Sequence, residues 1–333
     1  MSEKESSMNY RILGKTGYLV SEISLGTWQL GSKWGESFDE NVAIETMEAA
    51  YKEGINFFDT ADVYQDGLSE KAIGKFIKTK RDKIFVVTKC GRRLSPHNAE
   101  GYNRGNLEKF VDASLKNMGV DSLDLILLHC LPTDVYYRKA AFDALDYLRA
   151  EGKIKHYGVS VERVEEAIKA MDFDISAVEI IFNMFRLRPA ELFFGLAKKN
   201  DVGIIVRVPL ASGLLSGKYD MNTTFGARDH RSFNRNGEAF DKGETFSGVD
   251  YQTGLAAAKE LKVKLGTDFL AHSALRYILM YAEVSTVIPG ASNAIQIMEN
   301  AKASVLPAFT EEQMAVVKQI YDCSIRPQVH YSW

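Results

Sequence analysis

Cysteine is scarce in this chain: only three of its 333 residues are Cys, namely Cys90, Cys130 and Cys323. An odd number of cysteines at wide and irregular spacing is not a disulfide framework and contains no CxxC zinc motif. We therefore expect a reducing compartment, and the cytoplasm in particular. The first ten residues, MSEKESSMNY, lack the apolar segment of a secretory signal, which agrees with that expectation.

Long hydrophobic runs and an excess of positive charge are also missing. The most apolar stretches, residues 123–131 and 182–197, are either too short to cross a bilayer or interrupted by charged residues and proline. Lys and Arg number 41 against 44 Asp and Glu, which gives a net charge of −3 and argues against general nucleic-acid binding. The sequence thus predicts neither a membrane nor a nucleic-acid partner.

What the chain does contain is a regular alternation of strand-like and helix-like segments. Hydrophobic residues make up 46% of it, enough for a full core. Short apolar runs are followed by segments with apolar residues at helical spacing, such as residues 42–51 and 107–118. After a predicted hairpin at residues 10–13 and 19–21, the predicted strands are residues 22–25, 56–59, 84–89, 123–129, 155–160, 177–181, 203–207 and 284–289.

Eight strand–helix units predict an α/β fold, a single (β/α)8 TIM barrel over residues 1–333 with an N-terminal β-hairpin. The irregular stretch at residues 218–250 is then a long loop after strand 7, which we expect to be functional. A doubly wound open sheet is the alternative. It is disfavoured because the first strand continues as LGTWQ (residues 25–29) and not as a GxGxxG turn.

Four ionisable side chains stand at or just beyond predicted strand ends. Asp59, Lys89 and His129 each end an apolar strand, and Tyr64 follows Asp59 by five residues. In a barrel these ends meet at the site. A nearby ammonium favours the phenolate and lowers the pKa of a tyrosine, while a carboxylate orients the lysine. Such a set suits reversible proton transfer during carbonyl reduction, with a neutral imidazole bonded to the carbonyl oxygen.

The run GINFFDTADVY at residues 54–64 resembles the signature of the aldo-keto reductase family, in which a strand-end Asp is followed by the catalytic Tyr. VTK at 87–89 is similar to the family's lysine strand, and DLILLH at 124–129 to its histidine strand. The similarity continues through GVS at 158–160, Asn183, PLASGLLSGK at 209–218, IPG at 288–290, and Glu299 with Asn300. It covers residues from about 10 to about 306.

The resemblance implies an NAD(P)H-dependent oxidoreductase that reversibly reduces an aldehyde, ketone or sugar carbonyl. Tyr64 would be the general acid/base, Lys89 and Asp59 would tune its pKa, and His129 would orient the substrate. Ser160 and Glu179 would bind the carboxamide of an extended nicotinamide dinucleotide, which residues 210–218 and 290–300 would hold further along. The implied cofactor contacts are Gly26, Thr27, Trp28, Ser160, Glu179, Arg207, Pro209, Leu210, Gly213, Leu215, Lys218, Gly290, Ser292, Gln296, Glu299 and Asn300.

The chain departs from the family pattern at several of these positions. Val161 stands where Asn is frequent, and Arg207 where an aromatic side chain often stacks on the nicotinamide, although a guanidinium plane can also stack. Glu179 stands where Gln is common; a carboxylate can accept from the carboxamide but cannot donate to it. Ser292, Asn293 and Gln296, in a segment where relatives often place Lys or Arg against a 2′-phosphate, are uncharged. We therefore expect NADP, with weak preference over NAD.

Several other residues stand out by type or position, and their roles are less specific. Residues 228–231, RDHR, are either a clamp for cofactor or substrate or a solvated loop. Trp28, Trp34 and Trp333 are candidates for an apolar substrate wall. The C-terminal residues 329–333, VHYSW, are rich in aromatic rings for a tail and are expected to fold onto the barrel or a neighbouring subunit. Cys130 follows His129, but no HxH or second ligand cluster accompanies it, so we expect a packing role and no metal.

Two other functions compete with the reductase. A cofactor-binding regulatory subunit resembling potassium-channel β subunits would keep the same four residues, and turnover of a simple aldehyde would argue against it. A metal-dependent barrel hydrolase would share the fold but needs ligands that the sequence does not suggest. The expected partner is a small carbonyl or polyol substrate; the oligomeric state and the physiological substrate are not predicted.

Overall fold

A computed structural model describes residues 8–32, 36–81 and 83–333 of the chain. A two-stranded antiparallel hairpin, β1 (Tyr10–Ile12) with β2 (Leu19–Ser21), precedes an eight-stranded parallel sheet. The parallel strands are, in chain order and in spatial order, β3 (Leu25–Gly26), β4 (Phe57–Asp59), β5 (Phe85–Cys90), β6 (Leu123–His129), β7 (Ile154–Ser160), β8 (Ala177–Ile181), β9 (Gly203–Arg207) and β10 (Val284–Val287).

The first and last strands of this sheet meet and close it. The Ser24 amide donates to Val287 O at 2.8 Å, and the Gly26 amide donates to Pro289 O at 3.1 Å. A Cβ at Gly26 would lie 2.7 Å from the Ile288 carbonyl oxygen, so the approach of the two strands requires glycine there. The predicted (β/α)8 barrel is confirmed.

Helices follow the strands along the chain; most of them cover the outer face of the barrel, and the short helix at residues 230–233 lies in the long loop after β9. They are α1 (Glu40–Lys52), α2 (Leu68–Ile77), α3 (Arg104–Met118), α4 (Lys139–Ala150), α5 (Val164–Ala170), α6 (Arg188–Leu192), α7 (Phe194–Lys199), α8 (His230–Phe233), α9 (Tyr251–Lys264), α10 (Leu270–Leu279), α11 (Ala294–Ala301), α12 (Glu311–Ile320) and α13 (Arg326–Val329). The helical periods at residues 42–51 and 107–118 correspond to α1 and α3. The Asp39 carboxylate caps α1 by accepting from the Asn41 and Val42 amides.

The interior of the barrel is apolar at one end and polar at the other. Phe57, Val87 and Leu125 pack inside it, and Leu13 and Val20 of the hairpin close its N-terminal end. All seven residues of β6 are buried, as in a parallel strand covered on both sides. The apolar packing leaves the C-terminal ends of the strands as the open end, where a barrel carries its site.

The first strand of the sheet begins later in the chain than predicted. The first strand, predicted at residues 22–25, is observed at Leu25–Gly26, because the Glu22 amide is still bonded to Asn9 O beside the hairpin. Glu179 is the third of the five residues of β8, whose bounds are those predicted. Its side chain is therefore buried within the barrel.

The long loop after strand 7 is present, but it is partly helical. Besides α8 it contains three-residue 3-10 helices at Lys242–Glu244 and Phe246–Gly248, and another 3-10 helix, Ala211–Ser216, precedes it. Residues 243–249 are buried. The Ser212 hydroxyl donates to Glu244 O at 2.9 Å, so the loop folds back over the C-terminal ends of the strands.

Candidate active site

Lys89 is the centre of the polar residues at the open end of the barrel. Its fully buried ammonium donates to Asp59 Oδ2 at 2.5 Å and to Thr60 O at 3.0 Å. Its Nζ lies 3.4 Å from Tyr64 Oη and 3.4 Å from Glu179 Oε2. Burial alone would lower the pKa of Lys89, but the carboxylates of Asp59 and Glu179 reverse that effect and raise it. The side chain is therefore an ammonium ion.

The pKa of Tyr64 is raised, which the sequence did not predict. Burial is the largest cause; Lys89 lowers the pKa as expected, and Asp59 and Glu179 raise it again. The lowering effect of Lys89 that the sequence predicted is present, but burial and the two carboxylates outweigh it and set the net direction of the pKa change. Tyr64 is a protonated phenol at neutral pH.

His129, the last residue of β6, stands beside Tyr64. The two rings meet edge to face, with centroids 6.1 Å apart. Burial, followed by the positive charges of Arg92, Lys89 and Arg207, holds the pKa of His129 well below its ordinary value. A neutral imidazole and a neutral phenol thus face one another and can both hydrogen-bond a carbonyl oxygen.

An aromatic wall lines the other side of Tyr64. The Trp28 ring lies 6.4 Å from the Tyr64 ring, at an interplanar angle of 26°. Two residues of the long loop approach Trp28: the His230 ring at 5.2 Å and the Phe240 ring at 6.3 Å. Burial lowers the pKa of His230 to about 4, so this imidazole is neutral as well. Phe240 was not among the predicted site residues. The only sequence feature that pointed to it was the length of the irregular stretch at residues 218–250.

Three residues expected to hold a carboxamide or the nicotinamide ring lie side by side. Ser160 and Glu179 are paired across β7 and β8, and Ser160 Oγ donates to Glu179 Oε1 at 3.3 Å. Arg207 Nε lies 3.9 Å from the same oxygen. Within the described residues, Glu179 Oε2 and Arg207 Nε are buried without a hydrogen-bond partner. Such groups suit a polar ligand, because buried polar atoms are normally satisfied.

A buried ion-pair network links the barrel to the long loop. Arg92 Nη2 lies 2.6 Å from Glu244 Oε1, and Arg207 lies 3.6 Å from Glu244 and 3.0 Å from Glu162. Cys130, expected only to pack, places its sulfur within 4.8 Å of both carboxylates, a grouping that could hold a metal ion. Two guanidinium groups already neutralise these carboxylates, so the group is better described as an ion-pair network.

The turn that would hold a pyrophosphate has an unusual backbone. Ala211, Ser212 and Gly213 have successive positive φ values of 47°, 54° and 100°. The Ser212 hydroxyl also accepts from the Phe246 amide at 3.1 Å, which ties the turn to the long loop. Of the other residues implied for this contact, Pro209 and Leu215 are buried, Leu210 is half-buried and Lys218 is exposed.

The polar residues of the last implied segment bond to one another. Ser292 Oγ donates to Gln296 Oε1 at 3.1 Å, and Asn293 caps α11 by accepting from the Gln296 amide at 3.1 Å. Glu299 is paired with Lys302 at 2.5 Å and with His272 at 3.3 Å. Asn300 Nδ2 lies 3.5 Å from the carbonyl oxygen of Gly290, which is exposed. Sequence reasoning missed Lys302 and His272, the two side chains that lie beside Glu299 in this segment.

The two interpretations of residues 228–231 are both incomplete. Asp229 and His230 are buried, so the segment is not a solvated loop. Arg231 donates to Asp229 at 2.8 and 2.5 Å and lies over the Phe225 ring, so it is engaged within the loop and is not available as a clamp.

The C-terminal residues fold onto the barrel, one of the two alternatives considered. The Trp333 ring is buried, and the guanidinium of buried Arg186 lies 4.3 Å from its centroid. A Cβ at Gly248 would lie 2.7 Å from this ring, so the tail packs against the long loop. Trp34, the third candidate for the substrate wall, lies outside the described residues.

A closed (β/α)8 barrel with Asp59, Tyr64, Lys89 and His129 at its open end has the architecture of a barrel oxidoreductase. The sequence model of the Aldo/keto reductase family matches residues 22–322. The chain belongs to that family, which supports an oxidoreductase. In the part of the chain that the structure describes, no helix combines the length and apolar character needed to span a bilayer.

Similar proteins include both enzymes and a channel subunit. The structure of aldo-keto reductase AKR11C1 from Bacillus halodurans, in its holo form, is 28% identical with a TM-score of 0.76, covering 94% of this chain and 96% of that one. The glycerol dehydrogenase AKR11B4 from Gluconobacter oxydans is 26% identical with a TM-score of 0.76, covering 96% and 97%. A probable voltage-gated potassium channel subunit beta from Arabidopsis thaliana is 28% identical, covering 94% and 96%.

Proposed function

We propose that the protein is an NADP-dependent oxidoreductase that reversibly reduces an aldehyde, ketone or sugar carbonyl to an alcohol. The observation that carries the proposal is the placement of Tyr64 Oη 3.4 Å from Lys89 Nζ and beside the neutral His129. This arrangement brings together a proton donor (Tyr64), a cation that stabilises its conjugate base (Lys89) and a second hydrogen-bond donor (His129).

A reduced nicotinamide held beside Glu179 and Arg207 would supply the hydride that the carbonyl carbon accepts. Tyr64 donates its phenolic proton to the carbonyl oxygen as negative charge develops there, and His129 hydrogen-bonds the same oxygen. In the reverse direction the phenolate of Tyr64 takes the hydroxyl proton of the alcohol. Lys89 stabilises that phenolate and is itself oriented by Asp59.

The residues present fit the proposed cofactor. The buried Glu179 carboxylate can accept from a carboxamide NH2, and the Arg207 guanidinium can lie against an aromatic ring. Residues 210–218 would hold the pyrophosphate, and residues 290–300 the adenosine. Ser292 and Gln296 offer only neutral groups, which supports a weak preference for NADP over NAD.

A small hydroxylated aldehyde or polyol is the substrate class we favour. The wall of Trp28, His230 and Phe240 combines apolar rings with a neutral imidazole, and the polyol-oxidising relative from Gluconobacter oxydans supports the same class. The relative from Arabidopsis favours a second candidate, a cofactor-binding regulatory subunit.

Turnover of a panel of aldehydes and polyols with both cofactors tests the proposal. Tyr64→Phe should lower kcat by about 10²- to 10⁴-fold, the usual contribution of a positioned general acid, while cofactor binding measured by fluorescence changes little. Tyr137→Phe, at an exposed tyrosine, is the matched control and should keep full activity. Retention of more than about a tenth of the activity by Tyr64→Phe would reject Tyr64 as the acid. Absence of multiple turnovers on the whole panel would favour the regulatory subunit.

A further inference from the structure

Lys89 is shared between two carboxylates, not one. Asp59 Oδ2 lies 2.5 Å and Glu179 Oε2 3.4 Å from its Nζ, and all three side chains are buried. Glu179 belongs to β8, on the side of Lys89 away from the strand that carries Asp59. Its other oxygen accepts from Ser160 at 3.3 Å. A residue expected to meet only the cofactor therefore also meets the cation that serves Tyr64.

The charges around Tyr64 do not favour its phenolate. Its own segment carries Asp62 and Asp66, which lie 3.8 and 2.9 Å from Arg93. The ionisable groups of the other elements packed around it include Asp59, Lys89, Arg92, His129, Glu162, Glu179, Arg207 and Glu244. The arginines are engaged by Glu162 and Glu244, and His129 is neutral. Lys89 is thus the cation nearest the phenol, and two carboxylates oppose it.

We propose that Glu179 is a positioning residue which, by pairing with Lys89, keeps Tyr64 protonated and extends carbonyl reduction to higher pH. The inference rests on the proposed function of Tyr64 as the acid. It assigns to Glu179 a role separate from contact with the carboxamide, because the charge acts through Lys89.

Neutralising Glu179 should move the titration of Tyr64 to lower pH. Tyr64 Oη and Glu179 Oε2 each lie 3.4 Å from Lys89 Nζ, so they are no more than about 6.8 Å apart. At that separation, with an effective dielectric constant of about 20, removing one negative charge should lower the pH at which Tyr64 loses its proton by about one to two pH units. In Glu179→Gln, the alkaline fall of reduction and the alkaline rise of oxidation should move together by this amount, because one group serves both directions.

Ultraviolet difference titration provides a readout that does not depend on turnover. The phenolate absorption of Tyr64 is obtained by subtracting the Tyr64→Phe protein, once in the wild-type background and once with Glu179→Gln. We expect the Tyr64 phenolate to form at lower pH in Glu179→Gln. In Glu179→Asp, which retains the charge, the Tyr64 phenolate should form at a pH closer to that of the wild type. This variant also allows the test to be made if Glu179→Gln does not fold. Glu162→Gln is the matched control: it removes a half-buried carboxylate that pairs with Arg207 and not with Lys89.

The possible results separate this inference from the proposed function. An unchanged phenolate titration in Glu179→Gln, or an equal shift in Glu162→Gln, would overturn the role of Glu179. A change confined to the KM for the cofactor would assign Glu179 to the carboxamide alone and would also overturn it. Retained activity of Tyr64→Phe would instead reject the proposed function itself.

Discussion

Glu244 should anchor the long loop over the open end of the barrel. It is the loop residue whose buried carboxylate pairs with Arg92 at 2.6 Å and with Arg207 at 3.6 Å. Glu244→Gln keeps the shape of the side chain and removes its charge. We expect the loop to open more often while the barrel itself stays folded.

The size of the effect follows from what the substitution leaves behind. Removing one partner of a buried ion pair typically costs about 3–5 kcal/mol. The side chain of Arg92 is 23% exposed and can regain water, and Arg207 keeps Glu162 as a partner, so the lower end applies. A cost of about 3 kcal/mol raises the population of the open loop by roughly a hundredfold.

Limited proteolysis within residues 218–250 measures this opening. When opening and closing are fast compared with cleavage, the cleavage rate follows the open population. Glu244→Gln should therefore be cut about a hundredfold faster than wild type, whereas Glu238→Gln, an exposed carboxylate of the same loop, should not differ. Cleavage within a factor of three in both variants would refute the anchoring role of Glu244.

Two further substitutions test the site, and a third tests the effect of a buried carboxyl group on folding stability. Lys89→Met removes the cation that lowers the pKa of Tyr64 against the effect of burial. The alkaline rise of alcohol oxidation should therefore move to higher pH. A lower plateau with an unmoved rise would show that the role of Lys89 is structural. Asn293→Arg adds a cation where the 2′-phosphate is expected, and should tighten NADPH by about 1.5–3 kcal/mol while NADH changes little in fluorescence titration. The wild type should accept NADH within about tenfold of NADPH, and a thousandfold preference for NADPH would contradict the assignment of this segment. Burial raises the pKa of Asp62 to about 7. Because the folded state then binds this proton more tightly than the unfolded chain, stability should fall by up to about 4 kcal/mol as the pH rises from about 4 to 7. In Asp62→Asn the free energy of unfolding, measured by urea denaturation, should depend less on pH over this range. An equal pH dependence in both proteins would contradict the raised pKa of Asp62.

The strands and the four candidate catalytic residues could be predicted from local sequence. A buried parallel strand is a short apolar run, and its neighbours along the chain become its neighbours in the barrel. An ionisable residue at or near the C-terminal end of such a run, as at Asp59 or His129, therefore points to the same open end of the barrel. The order of strands and the motif spacing were enough to predict that these residues come together.

Only the tertiary structure decided the electrostatics and the lining of the site. The net direction of the pKa of Tyr64 depends on burial and on Glu179, which is 115 positions away in sequence but shares Lys89 with it. The wall that His230 forms with Trp28 joins segments about 200 residues apart. Local periodicity depends on residues a few positions away, whereas desolvation and Coulomb interactions depend on distance in space. Those distances exist only once the barrel has closed and the long loop has folded across it.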